Sequence, residues 1–368
     1  MDFSLNEDQQ ALQELTRKIL EENLGHDRLK QVGRSESRID REAWKELAKA
    51  NLLGITVAEE FGGSGLGLTE LCILHQELGR SVGPLPVFPT LVLGALPIAA
   101  FGSKELKERW LPQVATGDAI LSAALVESAG ATVTAKPEGS SWRLNGERPL
   151  VQAAHVAHRV IVPATTEDGD TALFLVDPAC EGVELENAET TDEQLRPSMK
   201  FSNVRVPEAE VLGKPRDGAN ILKWIGERAT LALCAMQVGV AERALEITAG
   251  YVSERKQFGR PVGSFQAVHT RAADAYIDLQ AMRLTTWRLL HLMEHDEEAT
   301  DELAIAKFWA SEGGARVTYA AQHLHGGIGV DVDYPIHRYY LWAGQIGIHL
   351  GTGTAQLAAL GERIANPV

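Results

Sequence analysis

Cysteine is nearly missing from the 368 residues: Cys72, Cys180 and Cys234 are isolated and odd in number. That excludes a disulfide framework, offers no Cys-x-x-Cys metal knuckle, and fits a reducing interior. Basic residues are also scarce, 35 against 50 acidic ones, leaving a net charge of −15. So acidic a chain is a poor partner for nucleic acid or an anionic membrane. The acid is spread along the chain rather than gathered in a tail, so it reads as solubility. No long uninterrupted apolar run exists. The longest, Val87–Phe101, contains Pro89 and Pro97 and falls short of the roughly 20 residues that span a bilayer. Met1-Asp2 opens the chain without a basic n-region or an apolar h-region, so no signal peptide is expected. A soluble, cytoplasmic protein is the expectation.

Apolar residues (45%) and charged residues (23%) are present in ordinary globular proportion, and the length is enough for two or three domains. Residues 1–118 read as helical: Leu5, Leu12, Leu15 and Ile19 recur at helical spacing. Asp40 is a candidate cap for a helix over Arg41–Asn51. Glu59–Gly67 (EEFGGSGLG) is glycine-rich, but no strand precedes it and no Gly-Lys-Ser follows, so it reads as a loop between helices. Residues 119–212 change character to short β-rich runs parted by Gly, Asp and Asn, with Asn145-Gly146 as a hairpin signal. A small β-barrel or sandwich fits. Residues 213–368 return to helix. Ile221–Val252, Phe265–His295, Glu302–His323 and Gly344–Ile364 predict a four-helix bundle. The fold class is α+β, with domains at 1–118, 119–212 and 213–368.

Between the first two bundle helices lies Glu254–Gln266, ERKQFGRPVGSFQ. Arg255 supplies a planar, permanently charged fork suited to phosphate, Phe258 an aromatic face, and Gly259 a sharp turn. Pro261 cannot continue a helix, and Ser264 is placed to cap the next one. This string resembles the R-x-x-F-G…F-Q signature of the acyl-CoA dehydrogenase family. The Glu59–Gly67 loop, the helix Gly102–Pro112 and the order of the three segments match that family too, over essentially the whole chain.

The resemblance implies α,β-dehydrogenation of an acyl-CoA thioester with hydride transfer to FAD, in a homo- or hetero-tetramer that passes electrons to electron-transfer flavoprotein or another acceptor. It also implies where FAD is held. Arg255, Gln257, Phe258 and Gln266 match the family segment that reaches the dinucleotide of a neighbouring subunit. His325–Gly329 (HGGIG) resembles the H-G-G-x-G loop, with Gly326 and Gly327 allowing close backbone approach. His323 stands where the family usually carries glutamine, readable as a structural histidine or as a donor to FAD. Thr352 matches the threonine of the family's E-G-T run.

The flavin-ring half departs from the family. In Leu121–Gly130 (LSAALVESAG), Val126 replaces a threonine, Ser128 replaces a proline and the Ser-Asp ending is missing. In Asn145–Ala153, Leu150 and Gln152 replace a tryptophan and a threonine, and Pro149 removes a backbone donor. The catalytic base departs as well. Leu350 occupies the glutamate position of E-G-T, and leucine accepts no proton. Family members acting on branched chains carry the glutamate on the first bundle helix, where Ala229 stands here. Glu227 is two residues away, about 200° round a helix, and is readable as a solvated carboxylate or as a displaced base. Asp331 and Asp333 are further acids near the loop. Three functions therefore stand: a subunit of a hetero-oligomer whose partner supplies the base, a self-sufficient dehydrogenase for branched or bulky acyl-CoA using Glu227, or a binding scaffold that has lost redox chemistry.

Overall fold

The structure is a computed structural model and describes residues 3–126 and 132–366. Helices α1 (Glu7–Asn23), α2 (His26–Val32), α3 (Arg41–Lys49), α4 (Leu68–Ser81), α5 (Leu96–Phe101) and α6 (Lys104–Ala115) come first. Strands β1 (Leu121–Ala123), β2 (Val133–Glu138), β3 (Ser141–Arg148), β4 (Arg159–Thr166), β5 (Thr171–Val176), β6 (Val183–Glu186) and β7 (Ser198–Pro207) come next. The long helix α7 (Gly218–Glu254) leads into a ribbon of β8 (Lys256–Gln257) and β9 (Arg260–Pro261). Helices α8 (Gln266–Glu294), α9 (Thr300–His325), α10 (Ile336–Ile348) and α11 (Gly353–Ala365) complete the chain. Among the described residues, no helix is long and apolar enough to cross a membrane.

The chain divides into two compact units: a helical one of Met1–Lys30, Leu68–Gly83 and Thr230–Val368, and a second of Gln31–Gly67 and Pro84–Ala229. In the helical unit, α1 starts at a reciprocal capping box, Asn6 with Gln9. Helix α4 is buried along its length from Leu71 to Arg80. It crosses α7 at two glycines: a Cβ on Gly79 would lie 1.9 Å from the Met236 carbonyl oxygen, and one on Gly239 would lie 1.9 Å from that of Gln76. The polar residues carried inward are paired. Arg17 grips Glu77 bidentately at 2.8 and 2.9 Å, and Arg80 grips Glu246 at 2.9 and 2.8 Å. Arg80 also reaches Glu242 at 3.0 Å.

The fourth bundle helix differs from the expectation of one run over Gly344–Ile364. It is two helices, α10 and α11, broken at His349–Thr352. Leu350 (φ 56°) and Gly351 (φ 101°) take left-handed backbone there, which a right-handed helix cannot include. Thr352 then caps α11 by accepting from the Ala355 N–H at 3.3 Å. Ser264 does not cap α8: its hydroxyl donates to the Pro261 carbonyl at 2.7 Å, and Phe265 at the cap position makes no side-chain cap bond.

In the second unit, Asp40 caps α3 through the Glu42 and Ala43 N–H groups at 3.1 Å. Pro89 and Pro97 do not disrupt the apolar run. Each sits in the first turn of a helix, a π-helical stretch over Phe88–Ala95 and then α5, where a missing N–H costs little. The Glu59–Gly67 loop is structural, since a Cβ on Gly63 would meet the Val57 carbonyl oxygen at 2.1 Å.

The strands form one mixed seven-stranded sheet in the order β1-β4-β2-β3-β7-β6, with β5 on β4. It curls around a shared core that includes Val133, Leu144, Val162, Phe174, Met199 and Phe201. The hairpin signal Asn145-Gly146 is not a turn. The β2–β3 turn is at Gly139 (φ 62°), whereas Gly146 (φ 130°) lies inside β3, opposite Val133 of β2 and at the point where the pairing with β7 shifts register. Asn145 instead pairs with Asn203, accepting from its N–H at 2.8 Å.

The α4–α7 crossing predicts that Gly239→Ala destabilises the protein by about 1–3 kcal/mol, because one methyl forces two backbones apart. Chemical denaturation measures it, and an unchanged midpoint would refute the close contact.

Candidate functional site

Apart from Thr352, the predicted binding residues of the helical unit fall into three structures. The first is the β8–β9 ribbon after α7. Lys256 pairs with Pro261 and Gln257 with Arg260, leaving Phe258 (φ 52°) and Gly259 (φ 77°) as the turn. Two left-handed residues in succession make a tight reversal, strained at Phe258 because it is not glycine. The Phe258 ring is 93% exposed and meets Phe265 edge-on at 6.3 Å. Arg255 is exposed and, among the described residues, its guanidinium is held by no acceptor. A charged fork and an exposed aromatic ring thus flank one turn.

The second structure is a groove of about 970 Å³ between α8 and α9, lined among others by Gln266, Arg271, Arg316, Tyr319 and His323. It brings Gln266 and His323 to one surface although they are far apart in sequence. His323 stacks with Tyr319 at 6.4 Å, and the Arg271 guanidinium lies 5.4 Å from the Tyr319 ring centre. Arg271 Nε is buried without a partner among the described residues. Sequence reading passed over Arg271 and Tyr319. The only signal was positional, Tyr319 standing one helical turn before His323; Arg271, five residues past Gln266, had none.

The third is the turn Gly326–Val330 after α9. Gly326 (φ 63°) requires glycine, and neither Gly326 nor Gly327 has any atom within 4 Å of where a Cβ would sit. That leaves room for a group to approach the backbone. Gly329 is different, since a Cβ there would strike the Gln322 carbonyl oxygen at 2.4 Å.

The α10–α11 corner holds Leu350 and Thr352. The Thr352 hydroxyl is engaged as the α11 cap. The end of α10 is clamped by Lys307, which is fully buried and donates to the carbonyls of Ile346 (2.9 Å) and Gly347 (3.1 Å) and to the Ser311 hydroxyl oxygen (3.1 Å). A cation at a helix C-terminus is favourable, and the three acceptors match the ammonium's three protons.

In the second unit, the Ser122 hydroxyl donates to the Gln152 carbonyl at 2.6 Å. Gln152 Oε1 is buried with no partner among the described residues. Leu150 (φ 51°) and Ala153 (φ 54°) flank it in left-handed backbone. Val126 is half-buried, and the motif residues after it, Glu127–Gly130, lie outside the described residues. Glu227 sits on α7 with its carboxylate 3.9 Å from Lys223 Nζ and 3.7 Å from Arg228. Ala229 is completely buried, so a two-residue step places the carboxylate on a different face of the helix.

Fold and motif order define the class first: a helical segment, a curled sheet and a helical bundle that carries the glycine turn and the arginine ribbon. Residues 6–118 match the model for the acyl-CoA dehydrogenase N-terminal domain, and residues 216–365 match that for the C-terminal domain. The chain belongs to the acyl-CoA dehydrogenase family. It is 37% identical to the acyl-CoA dehydrogenase FadE27 of Mycobacterium tuberculosis, over 99% of both chains. Two solved structures resemble it closely. A chain of the ChsE4-ChsE5 complex from Mycobacterium tuberculosis has a TM-score of 0.95 at 37% identity, covering 100% of both chains. A chain of the Tcur3481-Tcur3483 steroid ACAD has a TM-score of 0.91 at 44% identity, covering 98% of this chain and 99% of that one.

FAD is the cofactor of the family. The residues here fit its dinucleotide half: the bare Gly326–Gly327 backbone, the uncommitted Arg255 and the Gln266–His323 groove. In the second unit, the amide oxygen Gln152 Oε1 is a buried side-chain acceptor without a partner among the described residues.

Lys307 gives a pH test of the corner. Burial pulls it down to about 8 from 10.5. The unfolded chain binds this proton more tightly, so its contribution to stability is complete above 10.5 and is lost as pH falls to about 8. The span is on the order of 3 kcal/mol. Denaturation of Lys307→Met against the native chain over that range should remove the rise. Parallel pH profiles would show that Lys307 is not the titrating group.

Proposed function

We propose that this chain is a subunit of a hetero-oligomeric acyl-CoA dehydrogenase whose partner subunit supplies the catalytic base. The observation that carries the reading is a contrast within the helical unit. Its dinucleotide-facing groups are free to bind, while Leu350, at the family's base position, has no group that can accept a proton. In this reading Arg255 pairs with a phosphate of FAD, Gln257 and Gln266 orient it, and Phe258 and His323 pack against its adenosine side. Gly326 and Gly327 let main-chain N–H groups approach the diphosphate. FAD, when bound, supplies the hydride acceptor for the α,β-dehydrogenation of the acyl thioester. Val126 and Gln152 line the ring side with fewer donors than the family pattern provides.

Similarity to chains of two solved assemblies, one of them a steroid ACAD, supports both the paired arrangement and a bulky, branched acyl-CoA as substrate class. The partner is then a second acyl-CoA dehydrogenase subunit, and the electrons pass on to electron-transfer flavoprotein or a comparable acceptor. Glu227 is the less favoured candidate for the base, because it stands on a different face of α7 from Ala229 and its carboxylate lies beside Lys223 and Arg228.

Flavin content tests the reading. Purified alone, the chain should carry far less than one FAD per polypeptide; purified with its partner subunit it should carry FAD, and Arg255→Ala should lower that affinity at least tenfold. A homo-oligomer with one FAD per chain and full turnover, abolished in Glu227→Gln, would sink the proposal in favour of self-sufficiency. Absence of flavin both alone and with any partner would point to a scaffold.

A further inference from the structure

His325 is the last residue of α9 and immediately precedes the Gly326–Gly327 turn. Its ring is 3% exposed and is held from three elements of the helical unit. Nδ1 lies 2.7 Å from the Ala321 carbonyl oxygen. A carbonyl only accepts, so Nδ1 carries a proton whatever the charge of the ring. In the neutral ring Nε2 is then an acceptor, and the Tyr334 hydroxyl, 3.2 Å away, donates to it. Tyr251 of α7 stacks on the imidazole at 4.5 Å with 25° between planes. The Tyr251 hydroxyl also donates to the His325 main-chain oxygen at 3.4 Å. Ring and carbonyl of one residue are therefore fixed by two tyrosines.

The backbone just past His325 is unusual. Gly326 takes φ 63° and ψ −138°, a region open essentially to glycine alone. The far end of the turn is secured by Gln322, whose amide donates to the Gly329 carbonyl at 3.1 Å. The turn is clamped at both ends and bare in the middle.

We propose that Tyr251, His325 and Tyr334 are a positioning device that presets the Gly326–Gly329 turn to receive the diphosphate of a dinucleotide. The proposal rests on the cofactor reading above and goes past it: none of the three side chains needs to touch the cofactor. They act through the main chain. Tyr334 and Ala321 fix the tilt of the imidazole, Tyr251 fixes its height and the direction of the His325 carbonyl, and the next two peptide groups inherit that geometry. Helix ends and glycine turns otherwise sample several conformations, and each one excluded beforehand is entropy that binding does not lose.

The device is sensitive to protonation. The groups facing His325 are Tyr251 from α7, Tyr334 from before α10 and the Ala321 carbonyl of α9 itself, and none is a carboxylate. Burial lowers the His325 pKa from its usual value and raises that of Tyr334. Charging His325 puts a second N–H against the Tyr334 hydroxyl, which must rotate to accept it. The neutral arrangement is intact above the His325 pKa and is lost as pH falls through it.

The test is Tyr334→Phe in the full chain within its purified oligomer. The ring stays, and one hydroxyl goes. FAD affinity, followed by release of flavin fluorescence, should fall about tenfold, the loss of roughly one buried hydrogen bond to an aromatic nitrogen. The pH at which flavin is released should move upward, because removing a donor to Nε2 removes a bond that favours the neutral ring. A titration of the His325 ring by NMR with labelled histidine should show the same upward shift without FAD. Tyr251→Phe, which keeps the stack and removes the bond to the His325 carbonyl, should also weaken FAD binding, and it carries the test if Tyr334→Phe does not fold. If the native oligomer binds FAD and both variants bind it equally well with an unmoved pH profile, the device is refuted and the cofactor reading stands. If the native oligomer with its partner holds no FAD at all, the cofactor reading fails and the device falls with it.

Discussion

The helical unit depends on the contact between α4 and α7. Two helices normally pack with side chains between them, 8–10 Å apart. Here Gly79 and Gly239 place backbone against backbone, so the crossing is closer than any residue with a Cβ would permit. Such an approach also pulls polar groups inward. Glu77 and Arg80 of α4 are 1% and 8% exposed in their side chains, and each is matched by a charge from another helix, Arg17 of α1 and Glu246 of α7. Removing either member of such a pair leaves a buried charge uncompensated, which is costlier than never having had the pair. Glycine at the crossing and carboxylate–arginine pairs beside it are therefore one constraint. The register of α4 on α7 is fixed twice over, once by sterics and once by charge.

With that register set, the remaining bundle helices fall into place by ordinary burial, and irregular backbone concentrates at their ends. The α7–α8 ribbon, the turn after α9 and the α10–α11 corner each contain left-handed residues: Phe258 and Gly259, Gly326, Leu350 and Gly351. The ends of two helices are buttressed from a neighbouring element, α10 by Lys307 and α9 by Tyr251. Strain held in place by a rigid frame is a common accompaniment of binding sites. All three places are also where the family resemblance puts its motifs.

Much of this was legible in the sequence. Long helical runs announced α7, α8 and α9, and Asp40 announced the start of α3, because these signals are local. The segment Arg255–Gln266 announced a sharp turn at Gly259 between α7 and α8, but not the two short strands that flank it. Features set by distant partners were not legible. Asn145-Gly146 has the composition of a turn, but Asn203 claims the asparagine and β2 passes too close for anything but glycine. Gly344–Ile364 reads as one helix although Gly351-Thr352-Gly353 is a local stop signal; nothing local marks Leu350 itself as left-handed. Ser264 satisfies the composition of a cap yet spends its proton on Pro261. Arg271 and Tyr319 were invisible because a groove between two helices is a property of their packing. His325 was read only as the first letter of a glycine motif, although its partners lie 74 residues before it and 9 after.

Phe258 carries two costs that the helical unit leaves standing. An aromatic ring with 93% of its surface in water forgoes nearly all the free energy that burial would provide, about 2 kcal/mol for a phenylalanine. Its left-handed backbone adds roughly another 1 kcal/mol of strain. The ring beside it, Phe265, meets it only at an edge and offsets little of either. A surface from outside that buries the ring and fixes the turn would offset both, and it would gain the neighbouring Arg255 fork as an anion contact. The same logic does not extend to Leu350. Its corner is supported by Lys307 at the end of α10, but a leucine brought there adds shape without proton transfer. The exposed, strained Phe258 beside Arg255 and the inert Leu350 thus form the contrast on which the proposed hetero-oligomer rests.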